Sequence, residues 1–289
     1  MSDVRVAVRK TYKLYIGGAF PRSESGRSYV VNAIDGSFLA NVAWASRKDV
    51  RDAVVAARSA LGGWSSSTAY LRGQILYRVA EMLEDRRAQF VDVVRDGEGV
   101  DKADARTIVD TAIDRVIWYA GWSDKVAQVA GSTNPVAGPY FDFSVPEPTG
   151  VVGVLAPQRS SLLGLLSVVV PAITTGNTAV VVASDERPLP AVGLAEVFET
   201  SDLPGGVVNI LTGHVKELAP VLAQHRDVDA LDLAGAPAEL SQELEREAAT
   251  NVKRVLRPPK DDFDWTAPPT PQRMLSFIET KTVWHPIGV

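Results

Sequence analysis

The chain has 289 residues, of which 46% are hydrophobic and 22% charged, with a net charge of −5. That balance excludes a disordered chain, and the absence of any Lys/Arg block excludes a nucleic-acid footprint. There is no cysteine, and His214, His225 and His285 are scattered, so disulfides, thiolate metal ligands and a zinc site are excluded as well.

The first residues alternate valine with charge and contain no apolar signal core. The longest apolar stretch, 162–175, is interrupted by glycine and proline and falls short of a membrane span. No membrane partner is therefore expected, and the cytoplasm is the expected compartment. Residues 12–16 predict a short strand, turned by Gly17-Gly18. From Arg47, Val50, Ala53, Val54, Ala57 and Leu61 fall at three-to-four spacing, which predicts a helix capped by Ser46. Further helices are predicted over 67–85, 87–95 and 102–129, so the first third reads as helical after its β start.

Between 130 and 148 the chain reads as extended, because Phe141, Phe143 and Val145 alternate with Asp142 and Ser144. After Gly150 the texture changes. Short β-branched runs at 151–155, 179–182, 207–211, 230–233 and 252–256 alternate with helical patterns at 161–175, 189–200, 215–224 and 238–249. Apolar runs joined by helices predict a doubly wound parallel sheet of α/β class. Pro258-Pro259, Pro268-Pro269 and Pro271 bracket residues 260–265, so 258–272 reads as a linker without regular structure, and 274–284 predict a last strand.

Several ordered segments resemble the NAD(P)-dependent aldehyde dehydrogenase superfamily. They are Tyr15-Ile16-Gly17-Gly18, Trp118-Tyr119-Ala120-Gly121-Trp122-Ser123-Asp124-Lys125, the run from Pro148 to Pro157, Pro171 to Thr178, and Leu203 to Gly213. The resemblance runs from about Tyr12 to Val255, and 274–288 resembles the family's last strand. It implies a Rossmann-like cofactor domain with an amino-terminal helical layer, a β oligomerisation arm and a carboxyl-terminal strand. On that footing the chain divides at 1–257 (arm about 138–148), 258–272 and 273–289. It is expected to lack most of the catalytic domain, replaced by the 258–272 linker.

The family reaction implied by the resemblance runs through a cysteine thiolate. The thiolate attacks the aldehyde, the hemithioacetal gives a hydride to the nicotinamide, and the thioester is hydrolysed. Here the side chains of that chemistry have changed. Gln158-Arg159 stand where the family has tryptophan and an oxyanion-holding asparagine. Val182-Ala183-Ser184-Asp185 replace a ribose-holding Lys-Pro-Ser-Glu. Gly235-Ala236-Pro237 replace a Gly-Ser-Thr turn at the pyrophosphate, and no carboxylate follows Arg257 until Asp261.

The resemblance therefore implies a catalytically inactive homologue, a pseudoenzyme acting as a structural or regulatory subunit paired with a full-length active aldehyde dehydrogenase, or else a homo-oligomer. No catalytic residue and no metal site are expected. No cofactor is expected to be held; NAD or NADP is the one in question, and Ser184, Asp185 and Gly235 are its residual candidate contacts. The alternative is an NAD(P)-binding sensor or oxidoreductase of the same family. Each candidate also has a structural reading. Ser184, Asp185 and Gly235 suit helix starts and tight turns. Arg159 suits an anion at a helix start or a surface salt bridge. Asp229, Asp232 and His225 suit an acid–base cluster or strand ends and a helix cap. Trp118, Tyr119 and Trp122 suit the core.

Overall fold

The computed structural model describes residues 9–259 and 263–288. The alternating residues 1–8, residues 260–262 with the Asp261 carboxylate, and Val289 lie outside the described residues. The first strand among the described residues is β1 (Thr11–Tyr12), and Gly17 and Gly18, at φ 63° and 80°, make the turn that follows. A strand pair then interrupts the first third, where only helices were expected. β2 (Ser28–Asn32) and β3 (Phe38–Ala43) run antiparallel about Asp35-Gly36, with Gly36 at φ 83°, and β1 joins β3 in parallel. Asp-Gly between β-branched residues is a hairpin signal.

Helix α1 (Arg47–Ser66) starts at Ser46 as its spacing predicts. The Ser46 hydroxyl accepts the Lys48 and Asp49 N–H groups, and the Asp49 carboxylate accepts the Ser46 N–H at 2.7 Å, a reciprocal cap. Three more helices follow: α2 (Ala69–Asp85), α3 (Arg87–Glu98) and α4 (Lys102–Ala120). The helix predicted over 102–129 is broken. The Trp122 N–H bonds Tyr119 O and the Ser123 N–H bonds Ala120 O, tightening the last turn, and the chain restarts as α5 (Val126–Ala130). The arm is β4 (Ser132–Asn134) with β5 (Tyr140–Pro148).

The α/β unit comprises β6 (Val151–Leu155), α6 (Leu163–Thr174), β7 (Thr178–Val182), α7 (Leu189–Glu199) and β8 (Val208–Leu211), then α8 (Val215–Gln224), β9 (Ala230–Asp232), α9 (Ala238–Ala249) and β10 (Arg254–Leu256). Its strands form one parallel sheet in the order β10-β9-β6-β7-β8. Every residue of β6, β7, β8 and β9 is buried. Side chains on both faces therefore meet helices, which explains unbroken rather than alternating apolar runs. Val152 and Val154 face α2, α3, α4, α6 and α7, while Val151 and Leu155 face α1, α8 and α9. This is the predicted Rossmann-like sheet with its helical layer.

The tail forms α10 (Gln272–Leu275) and β11 (Ile278–Pro286). Met274, predicted as strand, is a fully buried helical residue. β11 pairs antiparallel with β5 from Ile278 opposite Pro148 to Pro286 opposite Tyr140, giving a sheet ordered β11-β5-β4. The tail thus lies on the arm of its own chain.

The expectation of a family member lacking most of its catalytic domain between Arg257 and Arg273 is corrected by the packing of this stretch. Arg115 in α4 donates to Ser167 Oγ at 2.8 Å and to the carbonyls of Trp265 and Ala267 at 2.9 and 2.8 Å. Arg273 pairs with buried Asp232, and Phe277 is fully buried. The described residues of this stretch are packed onto the body of the protein, held by Arg115 and Arg273 through partners distant in the chain. Among the described residues no helix is long and apolar enough to cross a membrane.

Candidate functional site

A crevice of about 1000 Å³ opens above the carboxyl ends of β6 and β9. There the strand order reverses, because the chain runs outward through β7 and β8 and returns to β9 and β10 on the other side. Such a switch point is where open parallel sheets receive ligands. One wall is the turn after β6, with Pro157, Gln158, Arg159 and Ser160. The other is the turn after β9, with Gly235 and Pro237, and Phe263 and Trp265 close the side. Gly235 donates its N–H to Leu155 O at 2.8 Å, and a Cβ there would lie 1.8 Å from Ala156 O. The two turns meet so closely that only glycine fits.

Ser184 and Asp185 stand one strand away, after β7. The Ser184 hydroxyl donates to Gln158 O at 3.0 Å and accepts the Arg187 N–H at 3.1 Å. Asp185 accepts the Val215 N–H at 2.9 Å, at the start of α8, and lies 3.5 Å from His214 Nδ1. Burial pushes the Asp185 carboxyl above its ordinary range, against the pull of the Val215 N–H and His214. Asp185 also lines a separate pocket of about 510 Å³ with Tyr29 and His214, and burial raises the Tyr29 phenol well above its usual range. The structure therefore brings Ser184 and Asp185 together and leaves Gly235 in the neighbouring crevice. Gln158 bridges the two sites, accepting the Asp185 N–H and donating to Ala156 O, both at 2.9 Å. Its substitution was legible in the sequence, but its bridging was not, since Asp185 is distant from it in the chain.

Arg159 is exposed on the crevice wall and makes no ion pair among the described residues. The amino end of α6 beside it is occupied by Glu98, which accepts the Ser161 N–H and hydroxyl at 2.7 and 2.6 Å. Sequence spacing gave no sign of Glu98, because it arrives from α3.

Asp229, Asp232 and His225 do not form a cluster. Asp229, at the foot of β9, accepts the Val151 N–H and pairs with Arg58, both at 2.7 Å. Asp232, at the opposite end of β9, is fully buried against Arg273; burial pushes its carboxyl up and the guanidinium pulls it down. His225 Nδ1 accepts the Asp227 N–H at 3.2 Å, and burial lowers its pKa. Trp118 packs against Tyr119 and Trp122 with ring centroids 4.9 and 5.4 Å apart, and all three join the core. Among the described residues no group of three His, Cys, Asp or Glu side chains could hold a metal.

The expectation that no cofactor is held is corrected by the intact Rossmann-type sheet, typical of NAD(P)-binding domains, and by its switch-point crevice. The donors there that suit an anionic dinucleotide are the Arg159 guanidinium and the Ser160 hydroxyl; the Gly235 turn adds shape, its own N–H being bonded to Leu155 O. The fit rests on shape and on these two side chains. Val182 and Ala183 are fully buried and offer no ribose donor, and Pro237 has no N–H. With no cysteine in the chain, the thiolate nucleophile is absent, which puts independent catalysis by that route in doubt.

Residues 20–257 match the model of the aldehyde dehydrogenase family. The chain is 32% identical over 248 residues to an aldehyde dehydrogenase, cytosolic 1, of Elephantulus edwardii, covering 84% of this chain and 49% of that protein. It is 32% identical over 256 residues to a cytosolic 10-formyltetrahydrofolate dehydrogenase of Pongo abelii, covering 86% of this chain and 28% of that one. Among solved structures, HpcC from Thermus thermophilus superimposes with a TM-score of 0.81 at 28% identity, over 85% of this chain and 47% of that one. The NAD+ complex of aldehyde dehydrogenase from Bacillus cereus gives 0.79 at 26% identity, over 85% and 50%. The chain thus spans about half the length of such relatives or less. Profile, relatives and superposition agree, and the chain belongs to the aldehyde dehydrogenase family.

Proposed function

We propose that this chain is a catalytically inactive aldehyde dehydrogenase homologue, acting as a structural or regulatory subunit paired with a full-length active aldehyde dehydrogenase. The observation that carries the reading is the coexistence of an ordered family fold and arm sheet with a chain that has no cysteine. The arm presents Tyr140, Phe141 and Trp284 outward, and an exposed strand and aromatic edge suit a partner's sheet or surface. A homo-oligomer through the same arm is the other form of the proposal. The chain would act as a cofactor-fold unit (1–257), a connecting segment (258–272) and an arm strand (273–289), in the cytoplasm.

A second reading is favoured by the crevice: an NAD(P)-binding sensor. Bound NAD or NADP supplies a hydride acceptor. In this chain Gly235 would let the two turns close the floor of the crevice and Arg159 would meet the ligand's charge. Ser184 and Asp185 would shape the neighbouring wall through their bonds to Gln158 and Val215.

Recovery of the tagged chain from its own cells, with co-purifying proteins quantified, tests the first reading. A near-stoichiometric full-length dehydrogenase supports it, whereas bait recovered alone and monomeric overturns it. Calorimetric titration with NAD+ and NADP+ tests the second, and the absence of saturable binding overturns that one.

A further inference from the structure

Helix α2 packs on α4, and a groove of about 750 Å³ lies along their contact. Tyr70 and Tyr77 stand two turns apart on one face of α2 with Gly73 between them, and Ile117 and Ala120 of α4 face them across the groove. Gly73 lets the helices approach, since a Cβ there would lie 3.1 Å from Ala120 O and 3.5 Å from Ser123 Oγ. Ser123 is only 3% exposed, and its hydroxyl has no hydrogen-bond partner. A buried hydroxyl left unpaired is a cost that native structures rarely carry without a reason.

The surroundings limit what the groove would accept. Tyr70, Tyr77 and Ile117 are 69%, 52% and 40% exposed, a run of large apolar surface awaiting cover. Arg78 is held by Glu81 at 2.9 Å and Lys125 by Asp124 at 3.0 Å, so the rim's cations are already neutralised, and Asp202 adds one further carboxylate. An anion would find no free positive charge there. The volume lies within the range of small-molecule sites, which combine apolar walls with a few placed polar groups.

We infer that this groove is a second ligand site, distinct from the crevice over β6 and β9, for an uncharged, flat, mainly apolar molecule carrying one hydrogen-bonding group. The ring lies in the groove against Tyr70, Tyr77 and Ile117, and the polar group meets the Ser123 hydroxyl after a small shift of the turn that follows α4. The inference does not depend on the catalytic state of the chain or on cofactor binding.

Calorimetric titration of the full chain with 2-naphthylmethanol, and with naphthalene-2-sulfonate as its anionic counterpart, tests the site. The alcohol is expected to bind saturably with one-to-one stoichiometry, and the sulfonate at least about tenfold more weakly. Tyr77→Ala is expected to weaken the alcohol about tenfold and Ser123→Ala about threefold to tenfold. Unchanged thermal melts would show that both variants fold. Non-saturable heats with the unaltered chain overturn the inference. Equal affinity in both variants places the probe elsewhere and also overturns it, and tighter binding of the sulfonate overturns the ligand class.

Discussion

The parallel sheet and the arm sheet use strands in opposite ways. In the first, every residue of β6 through β9 is buried between helices. In the second, β5 and β11 pair along nine positions, yet Tyr140, Phe141 and Trp284 remain 42%, 48% and 59% exposed. Tyr140 and Trp284 pack edge to face, with centroids 5.6 Å apart, on a sheet whose outer strands keep free edges. The four strands β6 to β9 of the first sheet are covered by their own chain. The second is an oligomerisation-type sheet, whose aromatic surface its own chain leaves exposed.

Joining these two regions is the pair between Asp232, at the end of β9, and Arg273, just before β11. Arg273→Ala leaves a fully buried carboxylate without its cation, and a loss of about 3–5 kcal/mol is expected in denaturant unfolding. The pH dependence has a definite sign. Because burial already raises the folded-state carboxyl of Asp232 above its unfolded value, the folded state binds the proton more tightly. Its contribution is most favourable below the unfolded pKa and is lost as pH rises through the folded one. The variant's deficit should therefore shrink as pH is lowered toward the carboxylate range, and a deficit independent of pH would assign the effect to packing.

Leu166→Ala, in fully buried α6, sharpens the contrast between the sheets. It should cost about 2–5 kcal/mol in unfolding while leaving arm-mediated association at a given folded concentration intact. Gly235→Ala drives a methyl group into Ala156 O. An expected cost of about 1–3 kcal/mol should come with loss of NAD(P) titration heats, and unchanged heats would place any dinucleotide elsewhere. The smallest effect on folding is expected from Trp284→Ser. Stability of the isolated chain should move by no more than about 0.5 kcal/mol, while sedimentation velocity shows the oligomer dissociating. An oligomer of unchanged mass would separate the exposed aromatics from assembly.

What was legible follows the range of each signal. Ser46 and the Val50, Ala53, Val54, Ala57 series predict α1, because capping and periodicity act within a few residues. The β-branched runs after Gly150 predict the parallel sheet, because burial on both faces leaves its mark along each strand. The β2–β3 pair is the exception, unforeseen although Asp35-Gly36 marks its turn. The helix predicted over 102–129 runs too far although Gly121, the carboxyl-cap residue of α4, marks its stop. The resemblance located the crevice turns and the lost side chains at Gln158, Val182 and Pro237.

The sequence by itself determined the family, the α/β class and the absence of a thiolate, since these rest on residue identity and local spacing. Tertiary structure alone decided that Asp185 is turned toward Val215 and that Glu98 reaches the start of α6. It also decided that Arg115 carries the Trp265–Ala267 stretch and that a crevice remains open over Gly235. Those outcomes depend on groups separated by tens of residues meeting at one place, and on burial making each unpaired donor or acceptor costly.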